Sequence, residues 1–131
     1  MLSKNEFRQF KTELDFIIKE HDPSTIKIIG RLAALDSPKE QLEEIRKKFD
    51  YMISKLFDKY GLEDSEMFDN FDEFWKRICD EELDSNITMA LKTIFLNQFE
   101  IPSNMQTVLS EYYDEVESYC IDYAKKQIKH N

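Results

Sequence analysis

Only two glycines, Gly30 and Gly61, occur in 131 residues, together with three prolines. A β-rich chain needs glycine, proline or asparagine wherever it reverses direction, because hairpin turns and bulges use backbone conformations that other residues adopt at a cost. A chain this poor in such residues is expected to be all-α with short connections. Hydrophobic residues make up 41% and charged residues 34%, enough for a core and a solvated surface and unlike a disordered composition. No internal repeat and no linker rich in Pro, Gly or Ser divides the chain. The expectation is one helical domain over residues 1–131, a compact bundle of five to seven helices.

Helix starts are legible, because Ser or Asp recurs just before an apolar-periodic run, often with Glu or Gln three residues later. Ser3 with Glu6 predicts a helix to about Glu20 with Phe7, Phe10, Leu14 and Ile17 on one stripe. Asp22 before Pro23 opens a second, carrying Ile26, Ile29, Leu32 and Ala33 and ending near Leu35. Ser37, Pro38 and Glu40 open a long third helix. Its Leu42, Ile45, Phe49, Met52, Ile53, Leu56 and Tyr60 keep helical spacing until Gly61 supplies a left-handed stop.

A fourth helix is expected from Asp64 or Ser65 to near Leu83, with Phe68, Phe71, Trp75 and Ile78 buried on one side. Ser85 caps a fifth, with Ile87, Leu91, Ile94 and Phe95, stopping at Ile101 before Pro102. Ser103 with Gln106 opens the last, from about Asn104 to Gln127. Its apolar arc (Met105, Val108, Leu109, Tyr112, Val116, Tyr119, Cys120, Tyr123) is broad, which predicts a long helix lying centrally between neighbours.

Charge is unevenly spread. The net charge is -9, yet residues 1–62 carry 12 Lys and Arg against 11 Asp and Glu, and residues 85–131 carry 4 against 6. Residues 63–84 carry 2 against 10, a balance of -8. At 100° per residue, Glu66, Asp69, Glu73 and Asp80 fall opposite the aromatic stripe, so burying that stripe leaves a row of carboxylates facing water. Such a row costs a few tenths of a kcal/mol per like-charged pair, so it is read as a surface used against a partner or as an acidic face that serves only solubility, not as a stability device. A second, weaker acidic run on the last helix includes Glu111 and Asp114, and Tyr113 is expected there as an exposed anchor at the edge of the apolar arc.

The residues of familiar active sites are scarce. His21 and His130 are the only histidines, one in a connection and one beside the last residue, so no nucleophile has an evident base. Neither follows a Glu at the three-residue spacing of a di-metal bundle. Gly30 and Gly61 are isolated, which removes phosphate loops. Asp69, Asn70 and Asp72 lack the spacing and the glycine of a calcium loop. No cofactor, no metal and no enzymatic activity are expected. Cys79 and Cys120 fall on apolar faces and are expected to be reduced core thiols. With no signal peptide and no apolar stretch of spanning length, the chain is expected in the cytoplasm.

The expected function is therefore non-enzymatic: an acidic helical protein whose Glu66, Asp69, Glu73, Asp80, Glu111, Tyr113 and Asp114 bind a basic protein partner. Partners with positive working surfaces are above all proteins that handle nucleic acid, so the expectation extends to inhibitors of such proteins, as immunity proteins and phage anti-defence proteins are as classes. The alternatives are a helix-turn-helix-like transcriptional regulator using the second and third helices, where Arg46, Lys47 and Lys48 lie, or a structural subunit of a larger assembly. Direct binding to nucleic acid is disfavoured by the net charge and by Glu40, Glu43 and Glu44 at the turn.

Overall fold

The computed structural model describes residues 2–22, 38–82 and 103–128. Four helices lie within them: α1 (Lys4–Glu20), α2 (Pro38–Lys59), α3 (Met67–Glu82) and α4 (Ser103–Lys126). The helices expected near residues 22–35 and 85–101 lie outside the described residues, and with them the total of five to seven. No strand occurs among the described residues. The one extended pairing is an isolated bridge between Leu2 and Ile128, where the Leu2 N-H donates to the Gln127 carbonyl at 2.7 Å.

Local sequence explains where α1 and α2 start and stop. The predicted capping box at Ser3 is formed in both directions. The Glu6 N-H donates to Ser3 Oγ at 3.1 Å, and the Ser3 N-H donates to Glu6 Oε1 at 3.0 Å. At the other end His21 caps the helix, with Nδ1 2.8 Å from the Ile17 carbonyl oxygen. α2 ends at Gly61, whose φ is +66°. The Leu62 N-H reaches back to the Phe57 carbonyl at 2.9 Å and the Gly61 N-H to the Asp58 carbonyl at 3.2 Å. This is the paired bonding of a Schellman stop, completed by contact-ready apolar residues, since Leu62 and Phe57 are both buried.

Packing follows the predicted stripes with two corrections. Phe10, Leu14 and Ile17 of α1 and Leu42, Ile45, Phe49, Ile53, Leu56 and Phe57 of α2 are buried. Phe10 meets the rings of Phe57 and Tyr60 at 5.9 and 5.7 Å, and Phe49 meets His21 at 5.6 Å, so α1 and α2 run antiparallel. α4 packs against α1, α2 and α3 alike, and its Val108, Leu109, Tyr112, Val116 and Cys120 are fully buried. The last helix thus touches each of the other three described helices.

Phe68 was expected in the core but is 49% exposed. It stands in the first turn of α3, where burial depends on what lies beyond the helix end as well as on angular position, and Met67 takes the core place there. Tyr113 was expected at the surface but is 2% exposed. The buried arc of α4 extends past it to Cys120 and Ala124, because Phe49 of α2 packs on that side with its ring 4.2 Å away. Cys79 and Cys120 are free and buried; burial pushes the Cys120 thiol up, as inert core thiols require.

Gly61 offers a clean test of this frame. A Cβ added there meets nothing within 4 Å, so Gly61→Ala carries a backbone penalty alone, about 1 kcal/mol. Urea denaturation should show that loss with an unchanged m-value, and Gly61→Asn should recover part of it.

Candidate partner-binding face

What holds α3 in place comes first, since its orientation decides which side faces water. Asp64 Oδ1 accepts the Glu66 N-H at 3.0 Å, a side-chain turn that starts the helix. The Tyr119 hydroxyl of α4 donates to the same Asp64 carboxylate, and the Tyr123 hydroxyl donates to the Glu63 carbonyl. Asn70 Nδ2 donates to the Tyr119 oxygen at 3.2 Å. Two half-buried tyrosines of the central helix therefore pin the N-terminal end of α3. Burial, with the Asp64 carboxylate beside it, pushes the Tyr119 phenol up to about 12, so both remain hydrogen-bond donors at any working pH.

Arg46 of α2 fixes the rest. Its side chain is 12% exposed and lies against the rings of Trp75 on α3 and Tyr112 on α4, at 5.5 and 5.4 Å. Arg46 Nε donates to the Tyr112 oxygen at 3.2 Å and is 3.1 Å from Asp50 Oδ2. A second guanidinium nitrogen pairs with Asp72 of α3. The Tyr112 hydroxyl donates to Asp50 Oδ1 at 2.5 Å, so cation, phenol and carboxylate close a ring of contacts between α2 and α4, to which Asp72 and Trp75 tie α3. Burial of Asp50 outweighs the Tyr112 hydrogen bond and the Arg46 charge, and its carboxyl is pushed up to about 6.

With α3 so oriented, six of the acids on it and just before it sort into used and unused. Asp64 holds Tyr119 and Asp72 holds Arg46. Glu66, Asp69, Glu73 and Asp80 are exposed, and none of the four forms an ion pair with a described residue. They span about 60° of the helix circumference, opposite the buried Phe71, Trp75 and Ile78, and about 21 Å of its length. Arg77 does not neutralise them, because it pairs with Glu115 of α4 at 2.6 Å. Lys76 is the exposed cation on the flank of the row.

The acidic run on α4 borders this face. Glu111 and Asp114 line a shallow groove of about 450 Å³ between α3 and α4, together with Arg77, Ile78, Glu115 and Ser118. Asp114 is exposed and Glu111 half-buried. Of the seven residues expected to meet a partner, the structure thus presents a row on α3 and a pair beside the groove, while Tyr113 faces inward. The Asp69, Asn70 and Asp72 segment is helical. Among the described residues no three of His, Cys, Asp and Glu come together as a metal ion would require. Arg46, one of three cations offered by the helix-turn-helix alternative, is spent internally.

Sequence reasoning missed the Arg46 centre. Its signal was present: an Arg and an Asp four residues apart, at 46 and 50, on the edge of an apolar stripe. Arg46→Ala would leave Asp50 buried beside no cation and should cost about 3 kcal/mol in urea denaturation. The pH dependence has a fixed sign. Because the folded Asp50 carboxyl titrates near 6, above its unfolded value, its contribution is fully present below about pH 4 and is lost as pH rises through about 6. Wild-type stability should therefore fall over that interval relative to Asp50→Asn; parallel curves for the two proteins would refute the raised titration. Compared with models of known protein families, with curated proteins and with solved structures, the chain matches none.

Proposed function

We propose that the protein is a non-catalytic binding protein that docks the outer face of α3 on a basic protein partner, and that the partner's positive surface is one that handles nucleic acid. The observation that carries this reading is the row Glu66, Asp69, Glu73 and Asp80: exposed, unpaired among the described residues, and held in place by a helix anchored through Asp72 and the preceding Asp64. Placing like charges at helical neighbour spacings costs stability. A surface kept at that cost has its use in complementarity, which speeds association and rejects partners of the wrong sign. Occupying such a partner's positive surface would compete with its nucleic acid, which makes inhibition the natural outcome of binding. Glu111 and Asp114 extend the face across the α3–α4 groove.

The test is charge reversal. Asp69→Lys, Glu73→Lys and Asp80→Lys together should leave helicity intact, since all three side chains are exposed. A partner captured by the wild-type protein should be lost by the reversed protein, and its association rate with the wild type should drop steeply as salt is raised. If the reversed protein retains the partner with unchanged affinity, the acidic face serves solubility and the reading is wrong.

A further inference from the structure

Three large hydrophobic side chains are exposed among the described residues: Phe16 on α1, Tyr51 on α2 and Phe68 on α3. On a helix surface the neighbours of a residue stand three and four positions away on either side. Around Phe16 these include Glu13 and Lys19, which pair with Lys59 and Asp15. Around Phe68 they include Asp64 and Asp72, held by Tyr119 and Arg46. Tyr51 is different. Its four neighbours are Lys47, Lys48, Ser54 and Lys55, so an exposed ring stands among three cations in a chain whose net charge is -9. All three lysines are exposed. Lys48 and Lys55 form no ion pair with a described residue, and Lys47 lies 4.0 Å from the Glu44 carboxylate. The Lys55 ammonium is 5.2 Å from the centre of the Tyr51 ring.

The Tyr51 ring is also one wall of a groove. Glu20 and His21 at the end of α1, with Lys47, Lys48, Tyr51 and Met52 of α2, line a space of about 460 Å³ whose walls are mostly apolar. Binding clefts in general measure about 300–1,000 Å³. The His21 wall is preset: its Nδ1 is held 2.8 Å from the Ile17 carbonyl oxygen, and its ring rests edge-on against Phe49. Glu20 is the one acid that lines the groove. An apolar cleft edged by lysines fits a ligand that is apolar where it enters and anionic on either side. Nucleic acid is the weaker fit, because its affinity rests on neutralising many phosphates, and three lysines in so acidic a chain offer few. A protein segment needs a few carboxylates for steering and one buried side chain for affinity. We propose that the outer side of α2 around Tyr51 is a second docking surface, whose occupant is an acidic segment of a protein. Its carboxylates meet Lys47, Lys48 and Lys55, and an apolar side chain between them enters the groove against Tyr51 and Met52. This surface is separate from the acidic face of α3 and opposite to it in sign, so the two readings stand or fall independently.

Three probes test it by calorimetry on the full chain at low salt: an amphipathic helical peptide of glutamate and leucine, an oligoglutamate of equal charge, and a single-stranded oligothymidylate. Circular dichroism confirms that each variant is folded. The amphipathic peptide should bind tightest of the three. Tyr51→Ala should weaken it about tenfold and leave oligoglutamate unchanged, while Tyr51→Phe retains both. Lys47→Glu, Lys48→Glu and Lys55→Glu together should abolish binding of both acidic peptides. Phe68→Ala, which removes an exposed aromatic with no lysine neighbour, should change neither. The proposal is overturned if the wild type does not bind the amphipathic peptide, if Tyr51→Ala leaves its affinity unaffected, or if Phe68→Ala weakens it equally. Tighter binding of oligothymidylate that Tyr51→Ala removes would assign the surface to nucleic acid instead. Self-association in light scattering that the lysine reversal abolishes would make a second copy of the chain the occupant, and would equally overturn the separate acidic partner.

Discussion

The mostly enclosed guanidinium of Arg46 is the constraint on which the arrangement of helices depends. A cation mostly withdrawn from water needs partners for its charge, and here they come from three different helices: Asp50 on α2 itself, Asp72 and the Trp75 ring on α3, and the Tyr112 ring and hydroxyl on α4. Apolar stripes can slide past one another by a turn at modest cost. A planar fork flanked by two rings and two carboxylates cannot, so this centre sets the register in which the stripes meet.

That register is also what separates the acids of α3 into two populations. A helix rotated by a quarter turn would carry Asp72 away from Arg46 and bring Asp69 or Glu73 toward it. As the helix sits, Asp72 is engaged by Arg46 and the preceding Asp64 by Tyr119, while Glu66, Asp69, Glu73 and Asp80 form the exposed row. The same residue type thus carries structure on one side of the helix and charge on the other, and net charge alone conceals the division.

How far the sequence reveals this depends on the range of the interactions involved. The α1 capping box and the Gly61 stop are set by residues within a few positions of each other, and both were legible. The core stripes of α1, α2 and α4 were legible because periodicity averages over many residues. Phe68 and Tyr113 were misplaced because each sits at a margin, one at a helix end and one at the rim of an arc. There the decision belongs to the neighbouring element, as Phe49 shows for Tyr113. The Arg46 centre was missed for the same reason: three of its partners are remote in sequence, and one-dimensional spacing records only Asp50. The row Glu66, Asp69, Glu73 and Asp80 was legible as an exposed face, since it follows from the buried stripe by geometry.

The bridge between Leu2 and Ile128 has a kinetic meaning. It joins the two ends of the described residues, so its loop-closure cost is the largest of any contact among them. It becomes favourable only after α1 and α4 have already met. Contacts of this kind are absent from a folding transition state built on nearer neighbours, and weakening them accelerates unfolding while leaving the folding rate almost untouched. The pairing of Leu2 with Ile128 is therefore expected to close late, as a clasp whose loosening would shorten the life of the native state more than it slows folding.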